Sequence, residues 1–341
     1  MRSAYFYSIF LLLFTFWSGP KKTETIEKNP YPRVGKVERY NPLLTTIIPE
    51  DALPEIIAEG FTWAEGPLWL EEINALIFSD VPENKIYQWK EGEGISIYLQ
   101  PSGYSDSIPG DWEKGSNGLS LSPDRQLIIC QHGNRRLVYM DSELENPTST
   151  FKNITTGLSD MPFNSPNDLT ITKEGNIYFT DPPYGLYGQD EDIHKVLEFN
   201  GVYLYVEGET LILIDSLTRP NGIGLSPDER KLYVANSDTE RAVWMVYDLS
   251  EDGTIESGKV FYDATSKVPT SVGMPDGLEI HPNGWIFATG PGGLHIFSEN
   301  GELLGLIDAE GFVSNCAFDE NYEYVYMTVN DKIMRIKLNG L

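Results

Sequence analysis

The chain has 341 residues, with 25 Lys+Arg against 51 Asp+Glu, a formal net charge of −26. So large a carboxylate surplus argues against nucleic acid and anionic membrane surfaces as partners, because both would repel it. A hydrophobic fraction of 40% with 12% aromatics excludes global disorder, and two distant cysteines, Cys130 and Cys316, exclude a disulfide scaffold and a Cys-based zinc cluster.

Arg2 precedes an apolar run at 5–17, YFYSIFLLLFTFW. A spanning helix needs about 20 apolar residues, so the run fits the core of a signal peptide better than a membrane span. An uncleaved N-terminal anchor is the alternative, because Phe16 and Trp17 stand where small residues precede a cleavage site. Residues 1–19 are thus read as a signal peptide or anchor, which places the rest outside the cytoplasm, in the periplasm or the extracellular space. Residues 20–41 are charged, carry Pro30 and Pro32 and lack periodicity, and read as a linker or arm. The globular part is expected over 42–341.

That part repeats itself. SNGLSLSPDRQLIICQ at 116–131, PNDLTITKEGNIYFTD at 166–181, PNGIGLSPDERKLYVAN at 220–236 and PDGLEIHPNGWIFATG at 275–290 are copies of one another. Divergent copies open at Glu65 and Ser314. The aligned polar residues are Glu65, Asn117, Asn167, Asn221, Asp276 and Asn315, spaced by 52, 50, 54, 55 and 39 residues. This is the period of a β-propeller blade. Alternating apolar positions such as Leu119/Leu121 and Ile223/Leu225 predict a strand, the SPD, KEG and HPNG segments a turn, and Leu232–Ala235 and its equivalents a second strand. Room remains for two more strands per unit. The expected fold is an all-β, six-bladed propeller of four-stranded antiparallel blades around a central channel, with a strand from 45–61 closing the ring onto the last blade.

In such a ring the first strand of every blade lines the channel, so the six polar residues converge on one mouth. They offer only carboxylate and amide oxygens, which suit Ca²⁺, Mg²⁺ or Mn²⁺ better than zinc. An Asn or Asp before Gly also simply starts a strand after a turn. Glu65 and Asp276, which turn geometry does not call for, favour the cation. The second strand returns to the mouth 14 or 15 residues later, at Asp80, Gln131–His132, Asp181, Asn236, Gly290 and Asn330. His132 is a candidate to contact substrate or shuttle a proton, and Arg135 and Arg136 either bind substrate or pair with nearby acids. No nucleophile elbow or phosphate-binding loop is present.

At EGPLW (65–69), HGNRRL (132–137), SPNDLTI (165–171), YFTDPPYGL (178–186), RPNGIGLSPD (219–228), PDGLEI (275–280), ATGPGGLHIF (288–297) and NCAF (315–318) the sequence resembles the SMP-30/gluconolactonase/LRE-like family, with HGNRR and TDPPYG most like its bacterial gluconolactonase branch. The resemblance covers about 58–338. It implies a divalent cation, most often Ca²⁺ with Mg²⁺, Mn²⁺ or Zn²⁺ as alternatives, held by Glu65, Asn167, Asn221 and Asp276. It implies hydrolysis of a small sugar lactone to the aldonic acid, the cation polarising the carbonyl and Asp276 acting as general base, with Asn117, His132 and Asp181 as substrate contacts. Phosphotriester or aryl-ester hydrolysis, and a non-catalytic binding propeller, stay open on the same scaffold.

Overall fold

The computed structural model describes residue 1, residues 30–105 and residues 113–340. The apolar run at 5–17 and most of the expected arm lie outside the described residues. Between Tyr31 and Leu341 the chain forms one unit, a ring of six antiparallel sheets. Blades 1 to 4 occupy 64–99, 116–155, 169–214 and 220–263, and each has four strands in sequence order from the channel outward. Blade 5 starts at Leu278–Ile280 and blade 6 at Val313–Phe318.

The ring closes as the sequence suggests. Glu55–Glu59 pairs antiparallel with Lys332–Lys337, so the last blade takes its outer strand from the N-terminal side. A side-chain contact reinforces this seam: Arg335 faces Glu55 across the pair at 3.4 Å, and its guanidinium stacks over Tyr324 and Tyr31, 4.4 and 5.0 Å from their ring centres.

The arm is not wholly a linker. Lys36–Arg39 pairs with Leu303–Asp308 as a fifth, outermost strand of blade 5. The segment KVER is too short a pattern to stand out by periodicity; Arg39 donates to the carbonyls of Ile48 (3.1 Å) and Pro49 (2.6 Å), and the strand caps an otherwise open edge. Pro42–Thr46 then turns as a 3₁₀ helix, capped by Asn41, whose side chain accepts the Leu43 N–H.

Between blades the alternate side chains interdigitate. Phe163, Phe179 and Tyr203 pack with ring centres 5.1–5.3 Å apart in one such layer. Cys130 and Cys316 are both buried free thiols within these layers. The outward packing leaves the inner strands to line a channel whose mouth carries the polar ring.

Candidate active site at the channel mouth

The inner strands position the ring by a shared device. In blades 1, 2, 4 and 6 the pairing register slips at the start of the inner strand, between Glu65 and Leu68, Ser116 and Leu119, Pro220 and Ile223, and Val313 and Asn315. A slip of this kind bends the strand and re-aims a side chain. The glycine that follows four of the six ring residues serves the same geometry: a Cβ on Gly222 would lie 2.1 Å from the Asp276 carbonyl oxygen, and one on Gly66 2.1 Å from that of Asn117. Glycine is there for the close approach of the neighbouring blade, which answers the simple-turn reading of these dipeptides. Backbone bonds stitch the blades at this level, from Gly118 N–H to Asn167 (2.7 Å) and from Gly277 N–H to Ser314 (2.7 Å).

Above this stitching lies a cavity of about 430 Å³. Glu65, Asn117, Asn167, Asn221, Asp276 and His132 all line it. The five ring residues among them are only 4–7% exposed. Trp63 donates Nε1–H to Glu65 at 3.1 Å and so fixes that carboxylate. Burial pushes the Glu65 carboxyl up to about 8, against the pull of the Trp63 hydrogen bond. Burial, then the Glu65 charge, pushes Asp276 well above the ordinary carboxyl range. Both carboxyls thus have raised proton affinity, and among the described residues no Lys or Arg lines the cavity to offset them.

That charge imbalance fits a cation. No group of three or more His, Cys, Asp or Glu in metal-holding geometry occurs among the described residues. The candidate set instead joins two carboxylates, Glu65 and Asp276, to the amides of Asn167 and Asn221, an oxygen donor set suited to a hard divalent ion.

Four expected contacts are placed differently. Asp181 is fully buried behind the site, where its two oxygens accept the N–H groups of Asn164 and Ser165, both at 2.7 Å, so it has no face on the cavity. Its carboxyl is pushed up to about 7 by burial. Arg135 donates to the carbonyls of Phe163 (2.6 Å), Asn164 (3.0 Å) and His194 (3.0 Å), and Arg136 to Gln131 (2.8 Å), which makes both loop staples. Asn315 leaves the mouth and turns to the channel interior, where it meets Asp168 at 3.4 Å.

Several lining residues escaped sequence reasoning: Trp63, Glu113, Tyr184, Ser237, Met274 and Phe312. Ser237 lies near the end of the second strand of blade 4 and the others on loops leading into or out of the repeat, where no alignment between copies picks them out. Glu113 is 3.6 Å from His132 Nδ1, and the signal that could have found it is only its place three residues before the SNG copy.

The family model for the SMP-30/gluconolactonase/LRE-like region matches residues 63–331. The chain belongs to this family. A gluconolactonase from Zymomonas mobilis is 37% identical over 311 residues, 89% of this chain and 86% of that protein. Among solved structures, a gluconolactonase from Xanthomonas campestris superposes with a TM-score of 0.77 at 25% identity, covering 91% of this chain and 98% of the other. A protein described as calcium-binding regucalcin, from Agrobacterium tumefaciens, shares the fold at a TM-score of 0.64 and 16% identity, covering 84% of this chain and 94% of its own.

Proposed function

We propose that this chain is a metal-dependent lactonase that opens a sugar lactone of the gluconolactone type to its aldonic acid. The observation that carries this reading is the convergence of Glu65, Asn167, Asn221 and Asp276 on one 430 Å³ cavity, in a chain whose relatives include a gluconolactonase at 37% identity. A divalent cation held by these four residues, Ca²⁺ by the nature of the donors, would polarise the lactone carbonyl and compensate the two carboxylates.

The chain's own groups do the rest. Asp276, whose proton affinity is raised by burial and by Glu65, takes a proton from the attacking water. Water oxygen bonds to the carbonyl carbon, the ring C–O bond breaks, and Asp276 returns its proton to the ring oxygen, which leaves as a hydroxyl. Asn117 and His132 face the sugar hydroxyls from the cavity wall. Trp63 and Phe312, packed edge-on with ring centres 5.4 Å apart, form an apolar wall that shields the reacting face from bulk water.

Metal-stripped protein assayed on 1,5- and 1,4-sugar lactones should be inactive and should recover on adding Ca²⁺, Mg²⁺, Mn²⁺ or Zn²⁺. Full turnover with metal absence verified would refute the metal role, and turnover of phosphotriesters or aryl esters alone would redirect the substrate. We also propose export through residues 1–19. Recovery of the chain only in the cytoplasmic fraction would overturn that proposal.

A further inference from the structure

The mouth cavity carries one carboxylate more than a divalent cation offsets. Glu65, Asp276 and Glu113 line it, and among the described residues no Lys or Arg does. A divalent ion on Glu65 and Asp276 cancels two of these charges and leaves that of Glu113. The Glu113 backbone N–H donates to the Gly185 carbonyl at 2.9 Å, which ties the loop entering blade 2 to a loop of blade 3 and holds the residue at the wall. Its side chain is a quarter exposed and stands 3.6 Å from His132 Nδ1, too far for a hydrogen bond.

The basic groups nearest in the chain to the lining residues are engaged elsewhere. Lys114 lies over the Tyr104 ring, 6.0 Å from its centre. Arg135 and Arg136 are the loop staples described above. Arg219 donates to the Thr218 carbonyl at 2.7 Å and pairs with Asp190. The stretch before Glu113, DSIPGDW at 106–112, adds two Asp and no Lys or Arg. A sphere of 430 Å³ is about 9 Å across, so a ligand in the cavity lies within about one Debye length, ~10 Å at 0.1 M salt, of the Glu113 charge.

We propose that Glu113 is a specificity residue of this site, an uncompensated carboxylate that restricts it to uncharged lactones and drives out the anionic product. This rests on the lactonase reading above. Hydrolysis changes the charge of the ligand: water adds across the acyl C–O bond of a neutral lactone, and the acid so formed gives its proton to solvent and becomes an aldonate. The substrate is indifferent to the wall charge, and the product is repelled by it. A lactone that already carries a phosphoryl group or a free carboxylate is repelled on entry.

The test compares wild type, E113Q and E113A, all with Ca²⁺ present. Steady-state kinetics are measured on glucono-1,4-lactone, which is neutral, and on glucaro-1,4-lactone, which carries a free carboxylate; gluconate binding is measured by titration calorimetry. At about 20 mM salt both variants should raise the ratio of kcat/KM for the anionic over the neutral lactone about tenfold and tighten the gluconate Kd about tenfold, the order expected when one like charge about 9 Å away is removed. Both gains should shrink to about threefold or less at about 500 mM salt, because mobile ions screen a charge and leave a packing change untouched. A selectivity ratio or a gluconate Kd that stays within about twofold of wild type in both variants overturns the proposal and leaves the lactonase reading standing, and so does a gain that salt does not alter. A wild-type protein that turns over neither lactone, nor glucono-1,5-lactone, overturns the lactonase reading and this proposal with it. If neither variant folds, the wild type decides: its ratio for the anionic over the neutral lactone should rise with salt over the same range, and a flat ratio defeats the proposal.

Discussion

The two polar rings of the channel mouth are made of the same residue types and do opposite work. At the start of the inner strands, Glu65, Asn117, Asn167, Asn221 and Asp276 point into the cavity. At the end of the second strands, Asp80, Asp181, Asn236 and Asn330 spend their oxygens on the loop that leads into their own blade. Asp80 accepts from Thr62 and Trp63 N–H (3.0 and 3.1 Å), Asp181 from Asn164 and Ser165 (2.7 Å each), Asn236 from Arg219 (2.9 Å) and Asn330 from Phe312 (2.8 Å). A buried polar side chain has to find partners. The second-strand residues spend their side-chain oxygens on the entry loop and act as clamps, whereas the inner-strand residues present theirs to the cavity. Residue type at a blade end therefore does not mark a site; the surface the side chain faces does.

The sharpest way to break this comparison is to remove a charge from each ring. Asp276→Asn and Glu65→Gln should lower lactone turnover by at least about 100-fold, as losses of groups that touch the reacting centre do, with circular dichroism and Tm unchanged or improved. Turnover near wild type in either would dissolve the distinction between the rings. Asp181→Ala should do the reverse. It strands two buried N–H groups, at about 1–3 kcal/mol each, so denaturant unfolding should shift by several kcal/mol while activity at a temperature well below the transition survives.

A second contrast concerns pH. In the metal-free protein Glu65 and Asp168 have carboxyls pushed up to about 8 and about 7 by burial, above their unfolded values near 4. The folded state then binds more protons than the unfolded state between about pH 4 and 8, so metal-free stability should fall as pH rises through that window. Saturating Ca²⁺ should flatten the slope. In the core of blade 5, fully buried His295 is held down to about 3 by burial. The unfolded chain takes up its proton first, so this group costs stability as pH falls from about 6.5 toward 3. Tm measured from pH 4 to 9 with and without Ca²⁺ should separate the two, because only the high-pH limb should respond to the ion. The smallest expected effect is Trp63→Phe. It removes the 3.1 Å hydrogen bond to Glu65 but keeps the apolar wall. A hydrogen bond to a charged group contributes about 1.5–3 kcal/mol, so turnover should fall about tenfold with Tm little changed.

Much of this was legible from the sequence because it is local or repeated. The alternation in NGLSL and NGIGL puts Asn117 and Asn221 at equivalent strand starts, and the repeat period arranges those starts around one axis. The closing strand was legible because a ring of sheets cannot leave an edge open. The strand at Lys36–Arg39 was not, since four residues of mixed charge carry no period. Nor was the clamp role of Asp181, because nothing in TDPPYG says that the two N–H groups waiting for it belong to Asn164 and Ser165.

The sequence by itself thus determined the blades, their number and which residues open each inner strand, all consequences of a periodic pattern and a fixed handedness. Only the tertiary structure decided which polar groups face the cavity at the mouth, that loop residues such as Glu113 and Tyr184 complete the wall, and that Asp168 meets Asn315 across the channel. Those outcomes depend on chain segments from different blades, and on hydrogen-bond partners that exist only once the ring has closed.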